Sequence, residues 1–240
     1  MRTRWTTEEA WAWRKHQGPI LGCNFIPSTA VNQLEFWQEE SFDLSVITRE
    51  LDWAAGLGMN ALRVFLHDLV YCQNPDAFKG RFDAFLSLAY KRGLRVMPVL
   101  FDDCWYDGAV LGRQPDPVPG FHNSCWLQSP GLSAARNEAE YDRLQQYITD
   151  MVGSFASDKR ILLWDIYNEV GNFFLPLLSK PFPYKQLALA QQFIRFTFTP
   201  VPTLPLFLKA AAWARSVDPE QPISSALWFN NDSLNTVLIE

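Results

Sequence analysis

Six residues able to do acid–base or strong hydrogen-bond chemistry stand at or just beyond the ends of three apolar runs: Arg63, His67, Asp102, Asp103, Asn168 and Glu169. Charged groups inside an apolar strand cost several kcal/mol unless they are paired. A carboxyl in an apolar, aromatic pocket is pushed toward its protonated form, which a general acid needs near neutral pH. The pattern therefore indicates a proton-transferring cleft, provided that the three runs end at one place.

The elements that must bring these residues together alternate between apolar strands and amphipathic helices. This alternation is typical of βαβ units and a parallel sheet. We predict strands at 19–27, 59–66, 94–101, 160–168 and 223–229, with a sixth beginning at 235. We predict helices at about 43–57, 74–93, 137–157 and 205–217. The carboxyl ends of parallel strands in a barrel form its active-site face, so the polar residues are expected there.

The predicted fold class is α/β, a (β/α)8 TIM barrel that is incomplete, with about five to six of its eight strands. The 240 residues suit a single barrel domain, which typically takes about 250 residues. The residues in excess of those that five to six βα units need lie in a long loop at 102–136 and in an atypical inserted segment at about 173–204. The sequence leaves open whether that segment is a genuine insertion over the barrel mouth or foreign sequence.

Four stretches resemble clan A glycoside hydrolases, including the family 5 cellulases and mannanases. WDIYNEVGN at 164–172 is similar to their fourth strand, NALRVFLHD at 60–68 to their second, and VLFDDCW at 99–105 to their third. PGFHNSCWLQSPG at 119–131 resembles a loop of a bacterial-type subgroup. The resemblance covers about 5–172 and 205–240.

This resemblance implies an enzyme that hydrolyses O-glycosidic bonds of a β-linked glycan by a retaining two-carboxylate mechanism. Glu169 would protonate the leaving oxygen and then deprotonate water, and Asn168 would bind the sugar 2-hydroxyl. Arg63 would orient the nucleophilic carboxylate. The remaining expected glycan contacts are His67, Asp103, His122 and Asn123, with the indoles of Trp105, Trp126 and Trp228 stacking on sugar faces.

The sequence also departs from the family pattern. Val170 stands where proline usually follows the Asn-Glu pair, and the chain is expected to end before the seventh strand, which carries the nucleophile. Glu240 is a weaker candidate for that second carboxyl, and Asp102 or Asp103 weaker still. A catalytically incomplete carbohydrate-binding pseudoenzyme or fragment is therefore the alternative function. Glu169 could also be a structural strand-end carboxyl paired with Arg63.

The composition of the chain restricts the classes of molecule that it is expected to bind. A net charge of −5 and a pI near 5.3 argue against a nucleic-acid partner, since phosphate binding needs a basic surface. The four cysteines and three histidines show no metal-ligand spacing, so no cofactor is expected. No apolar run is long enough for a membrane span, and we expect a monomer.

No signal peptide is visible, which predicts a cytoplasmic chain as it stands and a secreted one if a leader was lost. A nucleotide-binding fold is disfavoured because no glycine-rich turn follows the first strand.

Overall fold

The computed structural model describes residues 5–172 and 201–226. Within these ranges, five parallel strands pair in chain order. They are β1 (Gly22–Asn24), β2 (Ala61–Phe65), β3 (Arg95–Asp102), β4 (Trp164–Asn168) and β5 (Ile223–Ala226). Strand after strand in sequence order with helical connections is the arrangement of a (β/α)8 barrel. The predicted α/β barrel fold is confirmed, with five of its strands lying in the described residues.

Helices occupy the connections. Their bounds are α1 (Thr7–Gln17), α2 (Gln33–Trp37), α3 (Leu44–Gly56), α4 (Asp68–Gln73), α5 (Pro75–Tyr90), α6 (Leu132–Ala135), α7 (Tyr141–Ser154) and α8 (Leu204–Ser216), with a 3₁₀ turn at Glu138–Glu140. The four longer predicted helices correspond to α3, α5, α7 and α8. None of the eight has the length and apolar character of a membrane span.

Local signals in the sequence explain where α5 and α7 begin. Asn74 Oδ1 accepts a hydrogen bond from the Ala77 amide at 3.1 Å, and Pro75 occupies the first turn of α5. Asn137 opens the 3₁₀ turn before α7 by accepting from the Ala139 amide at 3.2 Å. Glu140, three residues after Asn137, forms no capping box with it, because the Glu140 carboxylate binds Arg143 instead.

The core lies between the sheet and the helices that cover it. Side chains of the three central strands are almost all buried, as expected for parallel strands covered on both faces. Aromatic rings dominate one region between α2 and α5, where fully buried rings contact one another: Phe36, Trp37, Phe78, Phe82 and Phe85. Trp37 Nε1 donates to the Phe65 carbonyl at 2.7 Å, which fixes α2 beside the end of β2.

The edge strands are less covered. All three residues of β1 are exposed, and β5 is partly exposed. Gly22 permits the close approach of β1 to β2, because a Cβ there would overlap the Ala61 carbonyl. The predicted sixth strand lies outside the described residues, as does 173–200, so the single domain and its inserted segment at about 173–204 stay predictions.

Candidate active site

Glu169 lies immediately beyond β4 with a backbone φ of +49°, in the left-handed region that non-glycine residues rarely adopt. Its amide donates to the Ala226 carbonyl of β5 at 2.9 Å. The side chains of Asn168 and Glu169 both contact Cys104 Sγ, through Nδ2 at 3.6 Å and Oε2 at 3.0 Å. Adjacent residues of a regular strand face opposite sides. The strand end and the turned backbone therefore allow both side chains to reach one site.

The Asn168 amide is held at both ends. Its Oδ1 accepts from Arg63 Nη2 at 2.8 Å, and its Nδ2 donates to Asp102 Oδ1 at 2.8 Å. A guanidinium can only donate and a carboxylate can only accept, so these partners decide which end of the amide is oxygen. One Nδ2 hydrogen remains on the side of Cys104, where the contact is weak.

Arg63 is neutralised by Asp165. Its Nε and Nη2 donate to Asp165 Oδ2 at 3.0 and 2.5 Å. Burial raises the pKa of Asp165, and the guanidinium opposes that rise. Among the described residues, no ion pair joins Arg63 to Glu169. The alternative that Glu169 is a strand-end carboxyl paired with Arg63 is therefore wrong, and the two groups are connected through Asn168.

An irregularity in β4 makes this arrangement possible. Arg63 binds both Asp165 and Asn168, which are three positions apart and would face opposite sides of a regular strand. The pairing of β4 with β5 shifts register between these two residues. Such shifts re-aim side chains and are frequent beside active sites.

Asp102 ties the strand ends to the long loop. It is 1% exposed and accepts hydrogen bonds from Asn168 Nδ2, from the Cys104 amide at 2.9 Å and from Trp126 Nε1 at 2.7 Å. Burial raises its pKa to about 7, with the three hydrogen bonds and the charge of Arg63 limiting the rise. The carboxyl is therefore enclosed by protein groups and positions its neighbours.

Asp103 faces the side of the sheet opposite to Asp102, which differs from the prediction that it contacts a glycan. Its Oδ1 accepts from Tyr167 Oη at 2.8 Å, and its Oδ2 accepts from the Gly171 amide at 2.5 Å and Thr203 Oγ1 at 2.6 Å. It is 1% exposed, and burial raises its pKa to about 7. The expected glycan contact of Asp103 is contradicted by this placement, because both oxygens are taken and none is open to solvent.

His67 corrects a second prediction. Its side chain is fully buried, and its Nδ1 accepts from the Leu69 amide at 3.3 Å, capping α4. Burial lowers its pKa, so the neutral form that accepts this hydrogen bond is favoured. The imidazole therefore holds a helix start and does not reach a glycan.

The loop after β3 carries the predicted aromatic contacts. Trp126 is partly exposed, and its ring is perpendicular to that of Phe65, with 5.0 Å between the centroids. Trp105, also partly exposed, lies edge-on to His122 at 6.0 Å. His122 and Asn123 are exposed, and Asn123 has a φ of +50°. Arg63, Asp102, Asp165, Asn168 and Glu169 are called the Asn168 cluster below. The structure thus brings Trp126 to the Asn168 cluster and pairs Trp105 with His122, while Trp228 lies outside the described residues.

Buried amides anchor this loop to α2 and the chain before it. Asn32 Nδ2 donates to Gln114 Oε1 and to the Cys125 carbonyl, both at 3.0 Å. Gln33 Nε2 donates to the Leu127 carbonyl. Gln38 exchanges hydrogen bonds with the Gly112 backbone in both directions. The loop is therefore ordered and held in place by hydrogen bonds, whereas its length alone predicted only that it is either functional or disordered.

Three residues of the site were missed by sequence reasoning: Asp165, Cys104 and Asn172. Asp165 had a signal, since it is the one charged residue in the apolar run of β4. Asn172 lies within the quoted Asn-Glu motif, three residues after Glu169, and only the turn geometry shows that it folds back. Cys104 carried no signal beyond its place after two aspartates. Nowhere in the described part of the chain do three or more His, Cys, Asp or Glu side chains gather so as to hold a metal ion.

No protein-family model and no curated protein matches the sequence. Solved structures do match the fold. An exo-β-1,4-mannosidase from Opitutaceae bacterium strain TAV5 superposes with a TM-score of 0.55 at 20% identity, over 87% of this chain and 31% of that one. A β-1,4-D-mannanase from Cryptopygus antarcticus gives 0.57 at 13% identity, over 87% and 57%. A β-mannanase from the blue mussel Mytilus edulis gives 0.52 at 17% identity, over 87% and 59%.

These matches extend over most of this chain but over about a third to three fifths of the enzymes' own lengths. Identity at this level carries the fold and no more. The resemblance to family 5 glycoside hydrolases is thereby confirmed for the fold: the chain has the architecture of part of these mannosidase and mannanase structures.

Proposed function

We propose that this chain carries the acid/base part of a retaining β-glycoside hydrolase site, with Glu169 as the general acid and base. One observation supports this most directly. Glu169 and Asn168 turn to the same side at the carboxyl end of β4, where they share Cys104. Active sites of barrels lie at this end of their strands. Glu169 is half-buried, so its carboxyl is held by protein groups and is still open to a substrate.

The residues present suit distinct steps. Glu169 donates its proton to the leaving glycosidic oxygen, and in the second step removes a proton from the water that releases the sugar. The Nδ2 hydrogen of Asn168 that is left on the side of Cys104 binds the 2-hydroxyl, because the opposite amide end is fixed by Arg63. Trp126 offers an apolar ring for a sugar face beside this cluster, held by Asp102.

A retaining reaction needs a second carboxyl about 5–5.5 Å from the first. Asp102 and Asp165, which join the cluster through Asn168 and Arg63, are 1% and 3% exposed. Enclosed carboxyls bound by protein donors cannot attack a sugar carbon. In this proposal the nucleophile therefore comes from outside the described residues.

The substrate class is a β-linked glycan, with β-1,4-mannan the first to test because two of the matched enzymes are β-mannanases and one is a β-1,4-mannosidase. We expect the chain to release reducing ends from mannan. Glu169→Gln should lower kcat by roughly 10²- to 10⁴-fold, the usual contribution of general acid–base catalysis. β-Glucan and xylan serve as the comparison substrates.

Glu220→Gln is the matched control, since this glutamate is exposed and precedes β5, at the end of the sheet opposite the carboxyl ends of the strands. Glu169→Ala with an activated aryl mannoside and added azide adds a specific diagnosis. A retaining enzyme without its acid/base should recover turnover and yield the β-glycosyl azide. Equal hydrolysis by wild type and Glu169→Gln would remove Glu169 from the mechanism.

Glycan binding without hydrolysis is the second candidate function. It is favoured by the absence of a solvent-accessible second carboxyl in the Asn168 cluster as far as the structure describes it. Calorimetric binding of mannooligosaccharides to wild type and Glu169→Gln alike, with no reducing sugar released by either, would support it over catalysis.

A further inference from the structure

We propose that Cys104 and Asn172 are positioning residues that together occupy one oxygen of Glu169, Oε2, and so reserve Oε1 for proton transfer. This inference rests on the proposed acid/base function of Glu169. Asn172 Nδ2 donates to Oε2 at 2.6 Å, and Cys104 Sγ donates to the same oxygen at 3.0 Å. No protein partner of Oε1 is present in the described parts of the chain.

Asn172 is placed by the turn that follows β4. Its amide donates to the Glu169 carbonyl at 2.8 Å, which closes the turn. The intervening Gly171, with a φ of +93°, donates its amide to Asp103 Oδ2. Asn172 is 1% exposed, so its amide group is fixed against Glu169 and sheltered from competing water.

Cys104 is a donor because it stays protonated. Burial, the largest cause, and the neighbouring carboxylates raise the pKa of its thiol, so the S–H remains in place at neutral pH. Its backbone is fixed by the hydrogen bond from its amide to Asp102 Oδ1. Its sulfur lies 3.5 Å from Asn172 Nδ2 and 3.6 Å from Asn168 Nδ2, so in the site without substrate both amides orient the sulfur while its hydrogen points to Glu169.

Two donors on one carboxylate oxygen decide where a proton can sit. A proton on Oε2 would displace one of the two hydrogen bonds, whereas a proton on Oε1 displaces none. The acid form of Glu169 therefore carries its proton on Oε1. The site also keeps the carboxyl plane fixed through both halves of the reaction, since the same two donors serve the charged and neutral forms.

The first test reads the thiol directly and needs no catalysis. The S–H stretching band of Cys104 is assigned by infrared difference between wild type and Cys104→Ala, with Cys23, Cys72 and Cys125 as internal references. We expect a band at lower frequency than those references, shifting upward in Glu169→Gln, because an amide oxygen accepts more weakly than a carboxylate. A Cys104 band that is unchanged in Glu169→Gln would overturn the inference.

The second test measures turnover of mannan by the same proteins. Cys104→Ala and Asn172→Ala should each lower kcat roughly 10-fold with KM nearly unchanged, the effect of losing a hydrogen bond to a charged group. Cys104→Ser, which keeps a donor, should restore most of the loss. A serine variant as slow as the alanine variant would also overturn the inference.

Failure of this inference and failure of the proposed function are distinguishable. An inactive Glu169→Gln with an unresponsive Cys104 band would end the role of Cys104 and leave Glu169 as the acid/base. A fully active Glu169→Gln would end the proposed function, and with it the assignment of Oε1, whatever the infrared band does.

Discussion

At the scale of residues, the ion pair of Arg63 with Asp165 predicts a large loss of stability when only one of its two partners is removed. The two side chains are 19% and 4% exposed. Removing one partner of a buried pair typically costs about 3–5 kcal/mol, because a charge is left uncompensated. We expect Arg63→Met to lower the free energy of unfolding by about 3 kcal/mol, measured by urea denaturation.

The double variant Arg63→Met/Asp165→Asn is the control for this prediction, since it removes the stranded charge as well. It should be more stable than Arg63→Met alone, with a clear coupling energy in the double-mutant cycle. Additive losses would contradict the pairing.

Asp103 predicts a pH dependence of stability. Its pKa is raised to about 7 in the folded protein, against about 3.9 in an unfolded chain. The folded state therefore binds more protons between these values, so the stability contributed by this group is full below pH 4 and is lost as pH rises toward 7. We expect Asp103→Asn to gain stability over wild type at pH 8 and to gain clearly less at pH 5, where only about a third of the loss in wild type has occurred.

Asparagine fits this position because its carbonyl can keep the hydrogen bonds of Gly171 and Thr203 while its amide donates to Tyr167 Oη. Urea midpoints at both pH values measure the effect, and Asp116→Asn, at an exposed carboxyl, is the matched control. Equal gains at pH 5 and pH 8 would show that the buried charge is not the cause.

The residues also show how far the sequence could predict this site. The convergence of strand ends and the central place of Asn168 and Glu169 were predictable, because apolar runs end where the barrel opens. The roles of Asp103 and His67 were not. Which of two adjacent aspartates faces the barrel depends on where the strand ends and on local irregularity, and neither is encoded in residue type.

At the scale of elements, the cap of α5 offers a test of how the sequence sets helix starts. Asn74→Ala removes the hydrogen bond to the Ala77 amide, and loss of such a cap costs about 1 kcal/mol. Denaturant unfolding should show that loss. Gln145→Ala, at an exposed position within α7, should change stability little, and equal effects of the two substitutions would contradict the cap.

The longer elements were predictable and the short ones were not. Strands β2, β3 and β4 and helices α3, α5, α7 and α8 repeat their apolar pattern over enough residues to be recognised. Helices α2, α4 and α6 have four to six residues and are held by tertiary contacts such as that of Trp37 with Phe65. Helix α1 was not predicted, because it buries no residue and its sequence therefore lacks an amphipathic pattern.

At the scale of the whole molecule, the unequal burial of the strands predicts an order of local opening. Amides of β3 and β4, paired on both sides and buried, should exchange hydrogen most slowly, and those of the exposed β1 fastest. Hydrogen exchange followed by mass spectrometry or NMR measures this order. Protection of β1 equal to that of β3 would contradict this order.

The anchoring of the loop after β3 bears on how the substrate preference of this fold could change. The base of the loop contacts the strand ends through Cys104, Trp126 and Gln128, whereas residues 115–123 are all exposed. Under the proposed function, exchanging that nine-residue tip should alter what approaches the cleft, while Cys104, Trp126 and Gln128 keep their contacts with the strand ends. Natural selection or protein design would then have a variable surface on which to change substrate preference while the hydrogen bonds of Glu169 are retained.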